Sequence, residues 1–311
     1  MTAYILRRLL YLLPVCLGIL LVTFLIKAAI PADAVSMLYS GQLSEEDSEE
    51  AAAIIRAEFH LDQPPLVQFY YYVADILRGD LGVSVRTREP VLDLIGYRYV
   101  NTIKLTAASL VIGVVLGVAT GIVSAYYKDT IFDMTAMTIS LFGLSMPAFF
   151  LGILLILLFS VQLRWLPVIG EGDWKHLLLP ALNLGLILSA SLARITRSSM
   201  LEVLQQDYIR TARAKGLKER LVVFKHALKN ALLPVITIIG LQIGGLLGGA
   251  FIIENVFAWH GIGELAVKAI LWHDFTITQG IILISAATYV LVNLLVDIFY
   301  QVIDPRVKLS G

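Results

Sequence analysis

The sequence lacks most of the side-chain patterns on which catalytic and metal sites depend. Cys16 is the single cysteine, so no intramolecular disulfide can form and no Cys-x-x-Cys pair exists. No Gly-x-x-x-x-Gly-Lys-[Ser/Thr] sequence occurs, so the chain has no phosphate-binding loop of its own. The five histidines are dispersed without metal-ligand spacing, at His60, His176, His226, His260 and His273. These absences argue against a metal site and against a nucleotide site.

Long apolar runs are what the chain has instead. Its mean hydropathy is +0.80, and 58% of its 311 residues are hydrophobic. A membrane-spanning helix needs about 20 predominantly apolar residues. Six segments reach that length, at roughly 9–30, 100–126, 132–161, 177–195, 231–257 and 279–302. We therefore predict an all-α integral membrane protein with six transmembrane helices.

The first apolar segment has two possible interpretations. Ala32-Asp33-Ala34 resembles the cleavage site of a signal peptide. The apolar stretch from Leu9 to Ile26, however, exceeds the roughly 7–15 apolar residues of a secretory signal. Its length favours a helix that is retained in the membrane.

Charge is separated along the chain although its formal sum is zero. Residues 27–99 hold twelve acids and six bases, whereas residues 194–229 hold nine bases and three acids. Short cytoplasmic loops are enriched in Lys and Arg, so we place the basic segment in the cytoplasm. With six spans, both termini are then cytoplasmic, and segment 31–98 lies on the outer side.

The basic segment is patterned as well as charged. Ile209 recurs with Ala212 and Arg213 at helical spacing, Asp207 can cap the start of a short helix, and Gly216 can end it. A second amphipathic run follows at 218–229. Two short helices at the inner membrane face predict a docking surface for a soluble partner.

The outer segment carries local signals of its own. Ser44 is followed by three acids, which resembles a helix cap and predicts a helix through about Phe59. The aromatic run at 69–72 is more typical of a membrane-interface belt than of a surface that stacks nucleic-acid bases.

Two spans contain glycines at four-residue spacing, which lets helix backbones approach closely. Such rows predict tight packing, and in the fifth span they are also compatible with a helix that slides or bends during transport. The rows are Gly113, Gly117 and Gly121 in the second span and Gly240, Gly244 and Gly248 in the fifth.

An intramembrane enzyme is disfavoured. Residues 143–147, reading G-L-S-M-P, resemble a serine-nucleophile motif, but such a serine needs a strand-to-helix turn that a membrane helix does not provide. No histidine or lysine lies at membrane depth to activate it. Ser145 and Pro147 instead predict a helix kink.

A channel or an ion-coupled carrier stays open as an alternative, with the basic loop binding anionic lipid. Such proteins usually place ionisable groups at membrane depth, whereas Glu254 and Asp297 lie near the ends of their spans. The polar amides well within the spans are Asn183, Gln242 and Asn293, and these are the candidates for lining a pathway.

Residues 207–216, reading D-Y-I-R-T-A-R-A-K-G, and residues 226–234, reading H-A-L-K-N-A-L-L-P, resemble the cytoplasmic coupling motif of ABC importer permeases. The form resembles that of the dipeptide, oligopeptide, glutathione and nickel group, and of the first of its two permeases. Matching residues run nearly end to end, at 7–10, 61–64, 78–82, 177–182, 253–257 and 304–306.

The resemblance implies a type I importer permease fold with a helical outer segment between the first two membrane helices. The domains would be an N-terminal transmembrane helix at 1–30, an extracytoplasmic segment at 31–98, a five-helix permease core at 99–303 and a cytoplasmic tail at 304–311. The core would include the cytoplasmic coupling loop at 196–230.

The resemblance also implies a non-catalytic subunit in the inner membrane of a bacterium, forming half of the pathway for a peptide or similar small solute. Its partners would be the lipid bilayer, a homologous second permease, two cytoplasmic ATPase subunits that bind ATP and Mg, and an extracytoplasmic solute-binding protein. The resemblance implies that this chain itself binds no cofactor and that nucleic acid is not among its partners. The residues that would couple to the ATPase are Asp207, Tyr208, Arg210, Thr211, Ala212, Arg213, Ala214, Lys215 and Gly216.

Three positions depart from the broader pattern. Arg210-Thr211-Ala212 stands where importers in general have Glu-Ala-Ala, as is usual in this group. Pro31-Ala32-Asp33-Ala34 replaces a frequent Pro-Gly-Asp-Pro, and Trp259-His260-Gly261-Ile262-Gly263 replaces a frequent Trp-Pro-Gly-Leu-Gly. The resemblance implies that the last two lie on the side that meets the binding protein, so the sequence leaves the solute open among peptides, glutathione, a nickel chelate and opine-like compounds.

Overall fold

The computed structural model describes residue 10 and residues 14–25, 63–170, 172–248 and 250–303. These residues are mostly helical, and the β pairing found among them is one antiparallel bridge between Val83 and Pro90. In chain order the helices are α1 (Pro14–Leu25), α2 (Pro65–Leu77), α3 (Val91–Tyr126), α4 (Ile131–Ser145), α5 (Ala148–Leu155), α6 (Trp174–Leu204), α7 (Asp207–Ala214), α8 (Glu219–Leu221), α9 (Leu228–Leu247), α10 (Phe251–Val256), α11 (Ile262–Leu271) and α12 (Phe275–Ile303). Wider π-helical turns extend α5 through Ile156–Gln162 and join α8 to α9 through Val222–Ala227.

Four helices in the described part of the chain are long and apolar enough to cross a membrane. A fifth candidate forms if the bent pair 131–145 and 148–162 counts as one span. The first predicted span, 9–30, is described only in part, as the apolar helix α1. The four long helices are Val91–Tyr126, Trp174–Leu204, Glu219–Leu247 and Phe275–Ile298.

The kink predicted at Ser145 and Pro147 is confirmed. The axes of the two helices on either side of it differ by 108°. Met146 is extended, in keeping with the bias of proline against a helical conformation of the residue before it, and Pro147 precedes the first residue of α5. The hydroxyl of Ser145 donates to the carbonyl of Leu141 at 2.9 Å and satisfies an acceptor at the end of α4.

The fifth predicted span, 231–257, differs from the structure at both ends. Its helix begins at Glu219, so the second amphipathic run is continuous with a membrane helix rather than a separate short one. It ends at Leu247, and α10 follows as a separate helix. Gly244, Gly245 and Gly248 crowd that end, and glycine is among the weakest helix formers.

Tight packing is confirmed at five of the six glycines of the two rows, whereas Gly248 has only ordinary contacts with neighbouring backbone. A methyl group on Gly113 or on Gly117 would lie 2.7 Å from side-chain atoms of Leu188 or Leu192, so α6 packs directly against the glycine face of α3. In α9, Gly240 and Gly244 face Val296 and Tyr289 of α12. Gly245 has open space in front of it.

The chain divides into two compact units. The first comprises Met1–Tyr97 and Ala266–Ala287, and the second comprises Arg98–Leu265 and Thr288–Gly311. In the second unit α6 is the central helix, packed against α3, α4, α5 and α9.

The first unit carries part of the predicted outer segment. A turn at 82–91 is anchored by Asp274, whose carboxylate accepts from the Ser84 hydroxyl at 2.6 Å and from the Arg86 amide at 3.3 Å. The aromatic run lies on α2, where Phe69 meets Phe24 edge to face. The helix predicted at 44–59 lies outside the described residues.

Candidate functional site

The candidate site is α7, which follows α6 after a turn at Gln205 and Gln206. The prediction that Asp207 caps this helix is wrong. A cap must have an extended backbone just before the first turn, and Gln206 occupies that position without a side-chain bond to the helix. Asp207 is the first helical residue, and its side chain is 97% exposed and 3.7 Å from Arg210. Its charge still lies in the first turn, where the helix dipole favours an anion.

One face of α7 is buried, as the helical spacing predicts. Ile209 and Ala212 point into an apolar cluster that we name the seat of α7. Fully burying a side chain such as Ile209 contributes about 1.5–3 kcal/mol. The other buried members of the seat are Ala125 of α3, Met200 of α6, Val222 and Val223 of the π turns, Ala227 and Ala231.

The opposite face of α7 and the turn after it are exposed. This surface is polar and basic, and the phenol oxygen of Tyr208 accepts a hydrogen bond from the side-chain amide of Asn230 at 2.7 Å. The arrangement leaves a short helix held on one side and open to a soluble partner on the other. The exposed residues are Asp207, Tyr208, Arg210, Thr211, Arg213, Ala214, Lys215 and Gly216.

Gly216 ends the helix, as predicted. Its φ of +74° lies in the left-handed region that favours glycine, and its amide donates to the carbonyl of Arg213 at 2.9 Å. Arg213 then makes two hydrogen bonds to Glu219, of 3.1 Å and 2.7 Å. These bonds raise the pKa of the Arg213 guanidinium above its ordinary value, so it stays charged. The paired side chains fix the turn from α7 into α8.

Three further residues belong to this site that were not among the predicted ATPase-coupling residues, although Asn230 lies within the 226–234 motif: Met200, Glu219 and Asn230. Met200 contacts α7 from the preceding helix, and Asn230 reaches back over 22 residues to Tyr208. Glu219 lies six residues after Arg213, outside the three- and four-residue spacings that identify helical pairs. These contacts form only because the folded chain brings α6, α8 and α9 back against α7, which the sequence alone does not show.

An ion pair close to the seat was also missed, and it joins a buried carboxylate to an arginine whose side chain is 25% exposed. Asp133 in the first turn of α4 accepts from Arg197 of α6 through both carboxylate oxygens, each bond being 2.6 Å. The Ser124 hydroxyl and the Asp129 amide, the latter at 3.0 Å, donate to the same carboxylate. Asp133 is 2% exposed, so its charge is balanced almost entirely within the protein.

A second buried carboxylate lies in the 253–257 motif. Glu254 accepts from the Thr102 hydroxyl at 2.8 Å and from the amides of Gly263 and Glu264 at 2.6 and 3.1 Å. These amides belong to the first turn of α11, whose unpaired donors need such an acceptor. Side chains at Gly261 and Gly263 would collide with the carboxylate, which explains both glycines.

The three candidate pathway amides have different surroundings. Asn183 is fully buried, and its amide donates to the carbonyl of Ala148 at the start of α5 at 3.1 Å. Gln242 and Asn293 are half-buried. A role for these amides in lining a pathway stays a prediction.

The chain matches known protein families and relatives, and these matches together cover nearly its whole length. Residues 113–309 match the family described as "Binding-protein-dependent transport system inner membrane component", and residues 1–106 match its N-terminal counterpart. The chain is 41% identical over 308 residues to "Glutathione transport system permease protein GsiC" of Escherichia coli strain K12, covering 99% of both chains. The protein of that name from Salmonella typhi is equally similar, with the same coverage.

Two solved structures share the fold. An inward-facing MetNI methionine ABC transporter aligns with a TM-score of 0.60 at 20% identity, covering 70% of this chain and 99% of that one. An amino acid ABC transporter with histidines aligns with a TM-score of 0.54 at 16% identity, covering 67% and 94%. At these identities the likeness concerns the fold alone.

Proposed function

This chain belongs to the binding-protein-dependent transport system inner membrane components, and from that premise we propose how its residues contribute to import. It is the membrane permease subunit of an ABC importer in the inner membrane, and it is not itself an enzyme because ATP hydrolysis belongs to partner subunits. This assignment sets aside the channel or ion-coupled carrier.

We propose that the working complex pairs this chain with a homologous second permease, two cytoplasmic ATPase subunits that bind ATP and Mg, and an extracytoplasmic solute-binding protein. In this proposal six spans place both termini in the cytoplasm. The basic segment 194–229 supports that orientation, because short loops rich in Lys and Arg remain cytoplasmic.

The observation that carries the coupling proposal is the two-sided nature of α7. Its apolar face is fixed on the seat, and its basic face is open. A partner ATPase that closes on ATP would displace the exposed face, and the seat would pass that displacement to α3 and α6. The permease would then switch between two packed arrangements, inward-open and outward-open.

Gly216 offers a test of this role. A β-carbon in the left-handed region costs roughly 1–2 kcal/mol, so Gly216→Leu should distort the end of α7. We expect the variant to insert normally but to lose ATP-driven uptake in proteoliposomes that contain the partner subunits. Gly216→Asn is the matched control, because asparagine tolerates this conformation and should retain most of the uptake. Normal transport by Gly216→Leu, or by a chain lacking 207–216, would disprove the coupling role.

For the solute we propose a short peptide or a peptide-like compound such as glutathione. The support is the glutathione transport system permease protein described above, which is 41% identical to this chain over nearly the full length of both chains. The solute-binding protein of the same system should bind glutathione or dipeptides in a calorimetric titration. Binding only of a nickel chelate or of an opine-like compound would contradict this choice.

We further propose that the outer segment 31–98 contacts the solute-binding protein or gates the released solute, rather than passively covering the helices. The support is the turn at 82–91, which Asp274 fixes and whose tip at 86–90 is exposed. Removing residues 44–59, which lie outside the described residues, should weaken hydrolysis stimulated by the binding protein and leave basal hydrolysis unchanged. Equal stimulation with and without that stretch would make it a passive element.

A further inference from the structure

We infer that Asp133 and Arg197 are a positioning pair that holds the seat of α7 together, so that displacement of α7 moves α3, α4 and α6 as one piece. This inference rests on the proposed coupling role of α7. Neither residue belongs to the 207–216 motif, and each acts through the helices it joins.

The bonds of Asp133 unite four parts of the chain. Its carboxylate accepts from Arg197 on α6, from the Ser124 hydroxyl on α3 and from the Asp129 amide in the turn between α3 and α4, and Asp133 itself begins α4. Two parallel bonds of 2.6 Å from one guanidinium fix both distance and orientation. A single carboxylate thus joins the end of α3, the start of α4 and the C-terminal third of α6.

The pair lies directly beside the seat. Ser124 immediately precedes Ala125, and Arg197 lies three residues before Met200, so Arg197 and Met200 share one face of α6. Ala125 and Met200 are the buried residues that α3 and α6 contribute to the cluster around Ile209, and partly buried residues of both helices pack around them. The same two helices therefore hold α7 and are joined by the pair.

A purely apolar seat could not transmit displacement as well. The seat is built mostly of small and branched side chains, whose contacts are non-directional and allow helices to slide or separate. The guanidinium and carboxylate have a fixed geometry, and separating them would leave a buried charge without its partner. Displacement of α7 would therefore move α3, α4 and α6 together instead of separating them.

The pair also has the chemistry of a positioning device more than of a simple stabiliser. Buried ion pairs often contribute little more to stability than apolar side chains of the same size. Their directional bonds instead select one arrangement of the elements they join. A variant that keeps the charges but changes the geometry should thus affect coupling more than folding.

The experiment compares Arg197→Lys and Asp133→Asn with two matched controls. Arg194→Lys makes the same change at an exposed position one turn earlier on α6, and Glu202→Gln neutralises an exposed carboxylate five residues after Arg197 on the same helix. Each permease is reconstituted with its partner subunits in proteoliposomes. Bound ATPase, basal hydrolysis, hydrolysis stimulated by the binding protein and solute uptake are measured on the same preparations.

We expect Arg197→Lys to keep its bound ATPase and its basal hydrolysis, while uptake per ATP hydrolysed falls roughly tenfold, which is within the usual range of coupling between sites. In Asp133→Asn the uptake per ATP hydrolysed should fall at least as much, and in the two controls it should stay near the value of the parent protein. If Asp133→Asn fails to insert, Arg197→Lys decides, because it retains the charge pair. Unchanged uptake per ATP in Arg197→Lys, or loss of its bound ATPase, would overturn the inference.

The result also separates this inference from the proposed function. If Gly216→Leu abolishes uptake while Arg197→Lys leaves coupling intact, only the positioning role is wrong. If Gly216→Leu transports normally, the coupling role of α7 fails, and the positioning role fails with it.

Discussion

The contact between α3 and α6 can be tested by adding one methyl group. In Gly121→Ala the new β-carbon would lie 2.5 Å from Cβ of Thr196 and 2.7 Å from the carbonyl oxygen of Ala193. Ordinary van der Waals contact begins at 3.4 Å, so the helices would have to separate by about 0.9 Å. Neither neighbouring atom can rotate away, since one is a backbone oxygen and the other is fixed to the backbone.

The expected destabilisation is about 1–2 kcal/mol. Overpacking a well-packed site typically costs about 1–3 kcal/mol. Replacing glycine by alanine in a helix recovers up to about 1 kcal/mol of helix propensity. An unfolding entropy of about 2.1 cal/mol/K per residue over 311 residues converts this difference to a Tm lower by roughly 1.5–3 °C.

Gly245→Ala is the matched control. It adds the same methyl group to a membrane helix, at a position where nothing lies within 4 Å of the new carbon. Its Tm should stay constant or rise slightly. The assay is thermal unfolding of the purified permease in detergent, followed by the fluorescence of its four tryptophans. Equal Tm values for Gly121→Ala and Gly245→Ala would refute the proposed helix contact.

Two further predictions concern topology and the buried carboxylate of Glu254. In a Cys16→Ala background, single cysteines at Ser48, outside the described residues, and at Ser198 should react with an impermeant reagent from opposite sides of the membrane; labelling of both from one side would contradict the orientation. Gly261→Ala should lower the Tm of the purified permease because its methyl group displaces the buried carboxylate of Glu254 from its donors. Adding Glu254→Ala should then cost less than the sum of the two single changes, and strict additivity would argue against the contact.

Much of the fold could be read from local patterns. Apolar length predicts the long helices, and the structure has four of them in its described residues, with a fifth if the bent pair is counted as one span. Pro147 predicts a break, because proline acts on the residues next to it along the chain. Ile209 and Ala212 are buried because helical spacing places both on one face of α7.

Local patterns fail where a contact depends on a residue far away in the chain. They also fail where a helix begins or ends at a different residue than the pattern predicts. The cap of α7 falls on Gln206 instead of Asp207, and a helix boundary is uncertain by one or two residues from sequence alone. The fifth span ends ten residues earlier than its hydropathy suggests, because α10 is apolar but separate. Hydropathy measures composition, whereas the break depends on backbone conformation.

The sequence by itself therefore determined the class of this protein: a membrane permease, its apolar helices and a basic segment with the coupling motif. Tertiary structure alone decided which polar groups within those helices are joined. Asp133 and Arg197 are 64 residues apart, and Thr102 and Glu254 are 152 apart. No periodicity links positions so distant in the chain. These groups meet only when the helices pack. Burying a carboxylate without hydrogen-bond donors is costly, so the packed arrangement has to supply donors from distant parts of the chain.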